Sequence, residues 1–332
     1  MAGSAGRVGA APPSEHGRGL ALSIIVVNWN TRDLLADCLR SVYDTVRDLS
    51  FEVFVVDNAS SDGSAVMVRE RFPIVRLIEN PDNAGFARAN NQALAEACGE
   101  YLLLLNPDTV AMPGALHRLV SFLKAMPEYG IVGAQLLNAD GSLQESWGRY
   151  PGVLTELPLL NRFPARGRRG CLLPDAGLAL RYLEVPWVSG AALVLRREVF
   201  DALGGLDEAF WLYTEETDYC YRAYRAGHKV ASLCDAQIIH LRRRASGQRM
   251  VSSMLWFYQS KVRFVAKHRG VAAAGLVKRI VRLKAAQWQR KPDASPLRVA
   301  YADVPAESIV LAYRALGAEF ARPLGELLAR AW

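Results

Sequence analysis

Apolar runs that end abruptly in polar clusters recur along the first third of the chain. Residues 20–28, LALSIIVVN, are rich in β-branched side chains, and so short an apolar run bounded by turn residues predicts a strand covered on both faces. In the TRDLLADCLRSVYD that follows, Leu34, Leu35, Cys38, Leu39 and Val42 recur at helical spacing behind Thr31, a residue type that caps helices. The alternation continues. FEVFVVDNAS (51–60) precedes SDGSAVMVRERF, IVRLIEN (74–80) precedes AGFARANNQALAEA, and EYLLLLNPD (100–108) opens a further unit. Strand then helix, at intervals of roughly 25 to 30 residues, predicts a parallel α/β sheet.

In such sheets ligands sit at the carboxyl ends of the strands. The predicted ends carry Asn28-Trp29-Asn30, Asp57-Asn58, Asn80 to Asn83 and Asn106-Pro107-Asp108. Any one cluster is ordinary turn chemistry; four along one sheet edge point to a ligand site. The first strand–helix turn lacks GxGxxG, which excludes the dinucleotide-binding pattern of dehydrogenases. Asp57 can accept hydrogen bonds from a base or ribose. Asp108 is a hard oxygen ligand suited to a divalent cation on a diphosphate.

The pattern changes after Met126. EYGIVGAQLLNADGSLQ predicts a strand, a hairpin turn and a second strand. Residues 147–181 are loop-rich and basic, which suggests a flap. LEVPWVSGAALVLRREVFDALGGLDEAF predicts a strand, a helix and a Gly-Gly turn, and the next segment predicts a helix and a strand ending at His240. With Thr214 as cap, Glu215, Glu216 and Asp218 fall in the first turn of that helix and Arg222 lies four residues beyond Asp218. Acids there complement the helix dipole. Three carboxylates within four residues also repel, raising at least one pKa, as a general base near a substrate hydroxyl requires. His240 is either a polar strand end or a second ligand, if the fold returns it to Asp108.

From Met250 the chain reads as helical with a break at RKPDASP. In GLVKRIVRLKAAQW, Leu276, Val277, Ile280, Val281 and Trp288 can share one face, with Lys278, Arg279 and Arg282 on the other. Such a helix packs on the domain or rests on anionic lipid. The 332 residues are 51% hydrophobic and 22% charged, as in globular proteins, with a net charge of +7. The excess collects in 162–170, 240–249 and 261–291. No RNP, zinc-finger or helix-turn-helix signature accompanies it, so a membrane surface or a pyrophosphate-bearing substrate is expected and nucleic acid is not. Residues 1–19 read as a disordered tail without the apolar core of a secretory signal. No apolar run reaches the eighteen residues a membrane span needs. The five cysteines are scattered without CxxC pairs, which argues against disulfides or zinc and suggests a cytoplasmic protein, one that the basic clusters would hold peripherally on the inner membrane face.

Taken in order over residues 22–247, SIIVVNWNTRDLLADCLRSV, FVVDNASSDGS, NAGFARANNQAL, LLLLNPDT, WVSGAALVLRREVFDALGGLDEAF, YTEETDYCYRAYRAGHKV and IIHLRRRASG resemble the inverting glycosyltransferases of family 2, in particular the rhamnosyltransferase-like branch. The resemblance implies an α/β protein of the GT-A fold, a Rossmann-like, mostly parallel sheet flanked by helices. It implies a catalytic domain over 20–249, divided near 126 into nucleotide-binding and acceptor halves, and a basic helical extension over 250–332. Asn28, Asn30, Asp57 and Asn58 would line the nucleotide pocket. Asn83, Gly85 and Arg88 would face the nucleotide and its diphosphate, supported by Asn90. NPD stands where the family has Asp-x-Asp, so Asp108 would bind Mg2+ or Mn2+ with His240, and Asn106 replaces the first carboxylate. Glu216 occupies the position of the catalytic base, usually an aspartate, with Glu215 as the alternative and Asp218 closing the motif. Trp187, Ser189, Gly190, Gly205 and Asp207 would lie on the sugar and acceptor side. The implied reaction is one in-line displacement from a nucleotide-diphosphate sugar such as dTDP-rhamnose onto a glycan or polyprenyl-pyrophosphate-linked acceptor. The glutamate at 216 also motivates a contrasting expectation, a catalytically silent protein that binds nucleotide sugar or anionic lipid.

Overall fold

A computed structural model describes residues 19–47, 49–157, 168–172, 180–241, 250–297 and 304–329. The first half runs β1 (Leu22–Asn28), α1 (Arg32–Thr45), β2 (Phe51–Asp57), α2 (Ser64–Arg71), β3 (Arg76–Glu79), α3 (Phe86–Glu96), β4 (Tyr101–Leu105), β5 (Thr109–Ala111), α4 (Ala115–Ala125) and β6 (Tyr129–Leu137). The second half runs β7 (Trp147–Gly148), β8 (Arg168–Leu172), β9 (Leu180–Glu184), β10 (Trp187–Val188), β11 (Ala192–Arg196), α5 (Arg197–Leu203), α6 (Glu215–Arg225) and β12 (Lys229–His240). Among the described residues that follow are helices α7 (Met250–Arg269), α8 (Val271–Arg290), α9 (Ala306–Glu319) and α10 (Leu324–Ala329).

The main sheet has the order β3-β2-β1-β4-β11-β6-β12-β9-β8, with β5 added against the end of β12. Strands β3, β2, β1 and β4 are parallel, as the strand–helix alternation predicts. β11 enters antiparallel between β4 and β6, and β12 lies parallel to β6. Every residue of β1 and β4 is buried. Because side chains alternate across a strand, Ile24, Val26 and Leu103 join the core under α1, α2 and α4, while Ile25, Val27, Leu102 and Leu104 join the core under α3, α5 and α6. The four leucines of β4 are thus divided between two cores.

Several expectations change. The hairpin turn over 138–141 forms, with Asn138 N–H donating to the Ser142 carbonyl at 2.8 Å, but its return strand is reduced to one bridge, Leu137 to Leu143. The chain dives inward there instead, burying Gln144. The flap expected over 147–181 carries β7, paired with β10, and the β8–β9 pair that extends the sheet edge. Residues 158–167 and 173–179, with most of the first basic cluster, lie outside the described residues, as do 1–18 of the expected tail and 242–249 of the second cluster.

The C-terminal helices build a third core around Tyr258, Phe264, Val277, Val281, Tyr313 and Phe320. Val277 and Val281 are inside, as the helical spacing predicts, but Leu276 is 49% exposed on the side that carries Arg279, Arg282 and the 71% exposed Leu283. The seam of α8 instead runs through Ala274, Val277, Val281 and Ala285, small enough for close packing. Among the described residues no helix is long and apolar enough to cross a membrane.

Candidate active site

The ends of β1 and β2 are level, Asn28 opposite Asp57. Asn28 has no exposed surface. Its amide nitrogen donates to Asp57 Oδ1 at 2.9 Å and Ser60 Oγ at 3.1 Å, and its Oδ1 accepts from the Thr31 hydroxyl at 2.6 Å. Thr31 therefore does not cap α1; Asp62 does so, its Oδ2 accepting from Arg32 N–H at 2.8 Å. Asn58 is also buried, donating to the Gly85 carbonyl and accepting from Asn80, and Asn90 donates to the Phe86 carbonyl. Asn28 and Asn58 thus tie loops from within rather than line a pocket, because buried amides must find partners, and Asn90 braces the start of its own helix. Asn30 is half-buried and left-handed, φ 53°, with its Oδ1 accepting from Ser61 N–H. Asn83 Oδ1 accepts from Gly85 N–H at 3.0 Å, and Arg88 is exposed. Gly85 is needed as glycine: its φ is 81°, and a Cβ would fall 2.8 Å from the Trp211 ring.

The structure brings His240 back to Asp108. β5 pairs with β12 in a register that sets Thr109 opposite His240, and Leu241 N–H donates to the Asp108 carbonyl at 2.9 Å. His240 Nε2 lies 3.3 Å from Asp108 Oδ1 and 3.4 Å from the Asn106 amide nitrogen. Both side chains of the pair are 14% exposed. Adjacent vertices of an octahedron with bonds of about 2.1 Å are about 3 Å apart, so this oxygen–nitrogen pair fits two coordination positions of a hard divalent ion. Among the described residues no group of three or more His, Cys, Asp or Glu could hold a metal. The remaining ligands would be substrate oxygens and water. The turn leading into the site is fixed by the Thr109 hydroxyl, which donates to the Asn106 carbonyl at 2.7 Å.

The carboxylates of α6 approach the same corner. Asn106 N–H donates to the Ala191 carbonyl at 3.0 Å, and a Cβ on the neighbouring Gly190 would stand 3.5 Å from Glu216 Cβ and 3.7 Å from the Phe86 ring. Glu216 is half-buried, whereas Glu215 is 4% exposed. Burial and the adjacent Glu216 carboxylate push Glu215 well above the ordinary range, so it keeps its proton. Burial raises Glu216 as well, but the backbone N–H groups at the helix start and the Glu215 carboxyl oppose this, making Glu216 the readier of the pair to ionise. Thr214 precedes the helix but does not cap it: with φ 72° it is left-handed, and its hydroxyl makes no capping bond. Tyr213 before it is left-handed too, φ 69°. Such conformations cost of order 1–3 kcal/mol each and persist where surrounding structure imposes them.

Asp218 is placed differently from its motif neighbours. It is fully buried; Oδ2 accepts from Arg222 Nε at 2.9 Å, and Oδ1 meets Lys267 Nζ and His268 Nε2, each at 2.7 Å. It clamps α6 to the end of α7. Burial would raise Asp207, yet Lys267 Nζ at 2.7 Å and the Ala209 N–H hold it below the usual range. Gly205 packs on Asn91 and accepts from Arg222 at 2.7 Å. Asp218, Asp207 and Gly205 therefore support the site from behind. Trp187 donates to the Arg149 carbonyl, and Ser189 N–H to the Ser146 carbonyl, on the strand leading to Gly190. Sequence reasoning missed Gln144, Asn91, Trp211 and Lys267. Each acts on a partner distant in sequence, and only charge or size marked any of them.

The family model for glycosyl transferase family 2 matches residues 23–204, more than half of the chain. The chain belongs to this family. Over 264 residues it is 27% identical to the N-acetylglucosaminyl-diphospho-decaprenol L-rhamnosyltransferase of Mycobacterium tuberculosis, covering 75% of this chain and 85% of that protein. It is 31% identical over 230 residues to the O-antigen biosynthesis protein RfbC of Myxococcus xanthus, covering 66% of this chain and 17% of that longer protein. Among solved structures, the mannosyltransferase PcManGT from Pyrobaculum calidifontis, in complex with GDP-Man and Mn2+, shares the fold with a TM-score of 0.55 at 20% identity, over 92% of this chain and 87% of that one. The family 2 chain is accordingly a glycosyltransferase of the GT-A fold.

One stability consequence follows from the paired glutamates. A carboxyl whose folded pKa is raised contributes stability below its unfolded pKa and loses it as pH rises through the folded value. Glu215→Gln, which stays neutral, is expected to match the wild type near pH 4 and to exceed its melting temperature by a margin that widens toward pH 9. A constant or shrinking margin in a pH series of thermal melts would contradict the assignment.

Proposed function

We propose that this glycosyltransferase transfers a hexose, with inversion, from a nucleoside diphosphate sugar of the dTDP-rhamnose type to a hydroxyl of a lipid-linked glycan precursor of the cell envelope. The observation that carries the reading is Glu216, set against Gly190 on the segment whose Ala191 carbonyl accepts from Asn106, the residue that also meets His240 of the Asp108–His240 pair. A base and an anion-neutralising corner joined through one backbone segment are what a single in-line displacement requires. The Mycobacterium tuberculosis relative, named for a rhamnosyl donor and a decaprenol-linked acceptor, supports the substrate class.

Each group has a role. Glu216 takes the proton from the attacking hydroxyl, and protonated Glu215 steadies it by a hydrogen bond while adding no second charge. Asp108 and His240 would hold a divalent ion, Mg2+ or Mn2+, which neutralises the charge gathering on the departing diphosphate. Half-buried Asn30 and exposed Arg88 are available to the nucleoside and its phosphates, while Asp57, buried and bonded to Asn28 and Ser60, holds the adjoining loop. Asn106 adds an amide rather than a second carboxylate, so the corner holds less negative charge than a two-aspartate motif and binds its cation less tightly.

Catalysis and silent binding are separated by one assay. Glu216→Gln is expected to lower acceptor-dependent release of nucleoside diphosphate by a thousandfold or more, on the order of 10³ for loss of a positioned base, with donor binding unchanged. Asp108→Ala is expected to abolish stimulation by Mn2+. Binding without turnover in the wild type, across a panel of nucleotide sugars and acceptors, would favour the silent reading.

A lipid-linked acceptor would hold the enzyme at a membrane surface, and we assign that contact to the exposed side of α8. Residues 250–297 contain ten Lys and Arg against the single acid Asp293. Arg279 and Arg282 are exposed beside Leu276 and Leu283, so charge for anionic headgroups and apolar side chains for the interface share one side. At about 1 kcal/mol per basic residue near such a surface, the double substitution Arg279→Glu, Arg282→Glu should weaken co-sedimentation with phosphatidylglycerol vesicles at least tenfold. Equal binding by the variant, or equal wild-type binding to neutral vesicles, would refute the contact.

A further inference from the structure

We infer that Gln144 is a positioning residue that fixes the His240 imidazole in its Nδ1–H form, so that the Nε2 lone pair is the one presented beside Asp108. Gln144 is 5% exposed and sits just after the turn whose return strand failed to form. Its Nε2 lies 3.0 Å from the His240 carbonyl oxygen and 2.8 Å from Asn138 Oδ1, and its Oε1 lies 2.7 Å from His240 Nδ1.

The direction of these bonds follows from groups that cannot exchange roles. A backbone carbonyl only accepts, so the Gln144 atom facing it is the NH2, and the atom facing His240 Nδ1 is the carbonyl oxygen. Nδ1 must then carry hydrogen. An independent anchor lies at the far end of the chain of bonds. The Ser142 hydroxyl donates to Asp140 Oδ1 at 2.6 Å, and this bond with the Ser142 N–H holds the Asp140 carboxyl below its usual range, as an acceptor. Ser142 Oγ thus accepts from the Asn138 amide nitrogen at 2.9 Å, which leaves Asn138 Oδ1 to accept from Gln144. The relay Asp140–Ser142–Asn138–Gln144–His240 has one polarity from end to end. The turn sequence NADGS, legible only as a turn, orients a side chain a hundred residues further on.

With Nδ1 committed, a neutral ring has its acceptor at Nε2, 3.3 Å from Asp108 Oδ1, where two electron-rich atoms face one another and a cation between them relieves the repulsion. The competing Asn106 amide contact is long, 3.4 Å, and readily given up. Groups that hold the distal ring nitrogen of a ligating histidine typically govern 10- to 100-fold in metal affinity. The cation part of this inference rests on the reading of Asp108 and His240 as ligands; the tautomer part does not.

The test uses the full chain with 15N-labelled histidine, the His240 signals being assigned by their loss in His240→Gln. Wild type is expected to show a protonated, pyrrole-type Nδ1 and a pyridine-type Nε2. Gln144→Glu keeps the acceptor facing Nδ1 while giving up the amide's donations to the His240 carbonyl and Asn138, so it should retain the Nδ1–H pattern. Gln144→Met, similar in size but without an acceptor, should lose the Nδ1–H pattern and weaken Mn2+ binding about 10- to 100-fold by electron paramagnetic resonance titration. An Nε2–H pattern in wild type, or wild-type spectra and Mn2+ affinity in Gln144→Met, would overturn the role of Gln144. Unchanged Mn2+ affinity in both His240→Gln and Asp108→Ala would instead sink the ligand reading and leave the tautomer standing.

Discussion

The pairing of two short strand ends holds the site together. β5 is three residues long, yet its antiparallel contact with the end of β12 decides where an imidazole from position 240 meets a carboxylate from position 108. A slip of one residue would turn His240 to the opposite face of the sheet. The core forbids that slip. Ile238 and Ala111, opposite one another in the register, are both buried, and Ala236 sits in the same cluster. β12 absorbs an irregularity against β6 between Leu233 and Gln237, which resets the alignment just before the strand reaches β5. Apolar packing far from any ligand thus sets a distance of 3.3 Å between two polar atoms.

The base is positioned by other means. α6 begins after two consecutive left-handed residues, and its first turn carries both glutamates, Glu215 buried and Glu216 half-buried. What keeps that helix start in place is behind it: Asp218, held by Arg222 from its own helix and by Lys267 and His268 from the end of α7. The C-terminal helices are consequently more than an appendage. They bring the Lys267 ammonium and the His268 imidazole to a buried carboxylate two residues from the proposed base, and removing one partner of such a cluster leaves an uncompensated buried charge.

Much of this was legible in the sequence. The parallel half of the sheet, with its polar strand ends, was visible because β1, β2 and β4 are apolar runs stopped by Asn and Asp, and the approach of His240 to Asp108 was stated as a condition that the fold meets. Other features were not legible, for identifiable reasons. Asn28 and Asn58 look like pocket residues in one dimension, but burial turns an amide into a tie between loops, and burial depends on neighbours far away in sequence. Thr214 has the composition of a cap and the wrong backbone conformation for one. Leu276 belongs to an apolar set at helical spacing, but α8 packs along a seam of alanine and valine that rotates this leucine outward. Gln144 could not be found by charge or periodicity, since its importance lies entirely in which atoms its amide faces.

Anomalous diffraction from crystals soaked with Mn2+ and a nucleoside diphosphate would examine the whole arrangement at once. A manganese peak bound by Asp108 Oδ and His240 Nε2, with the diphosphate completing its coordination and Glu216 across the cleft from the phosphate, is the expected result. An ordered nucleotide with manganese bound elsewhere, or with His240 turned away from the ion, would contradict the assembly of the site described above.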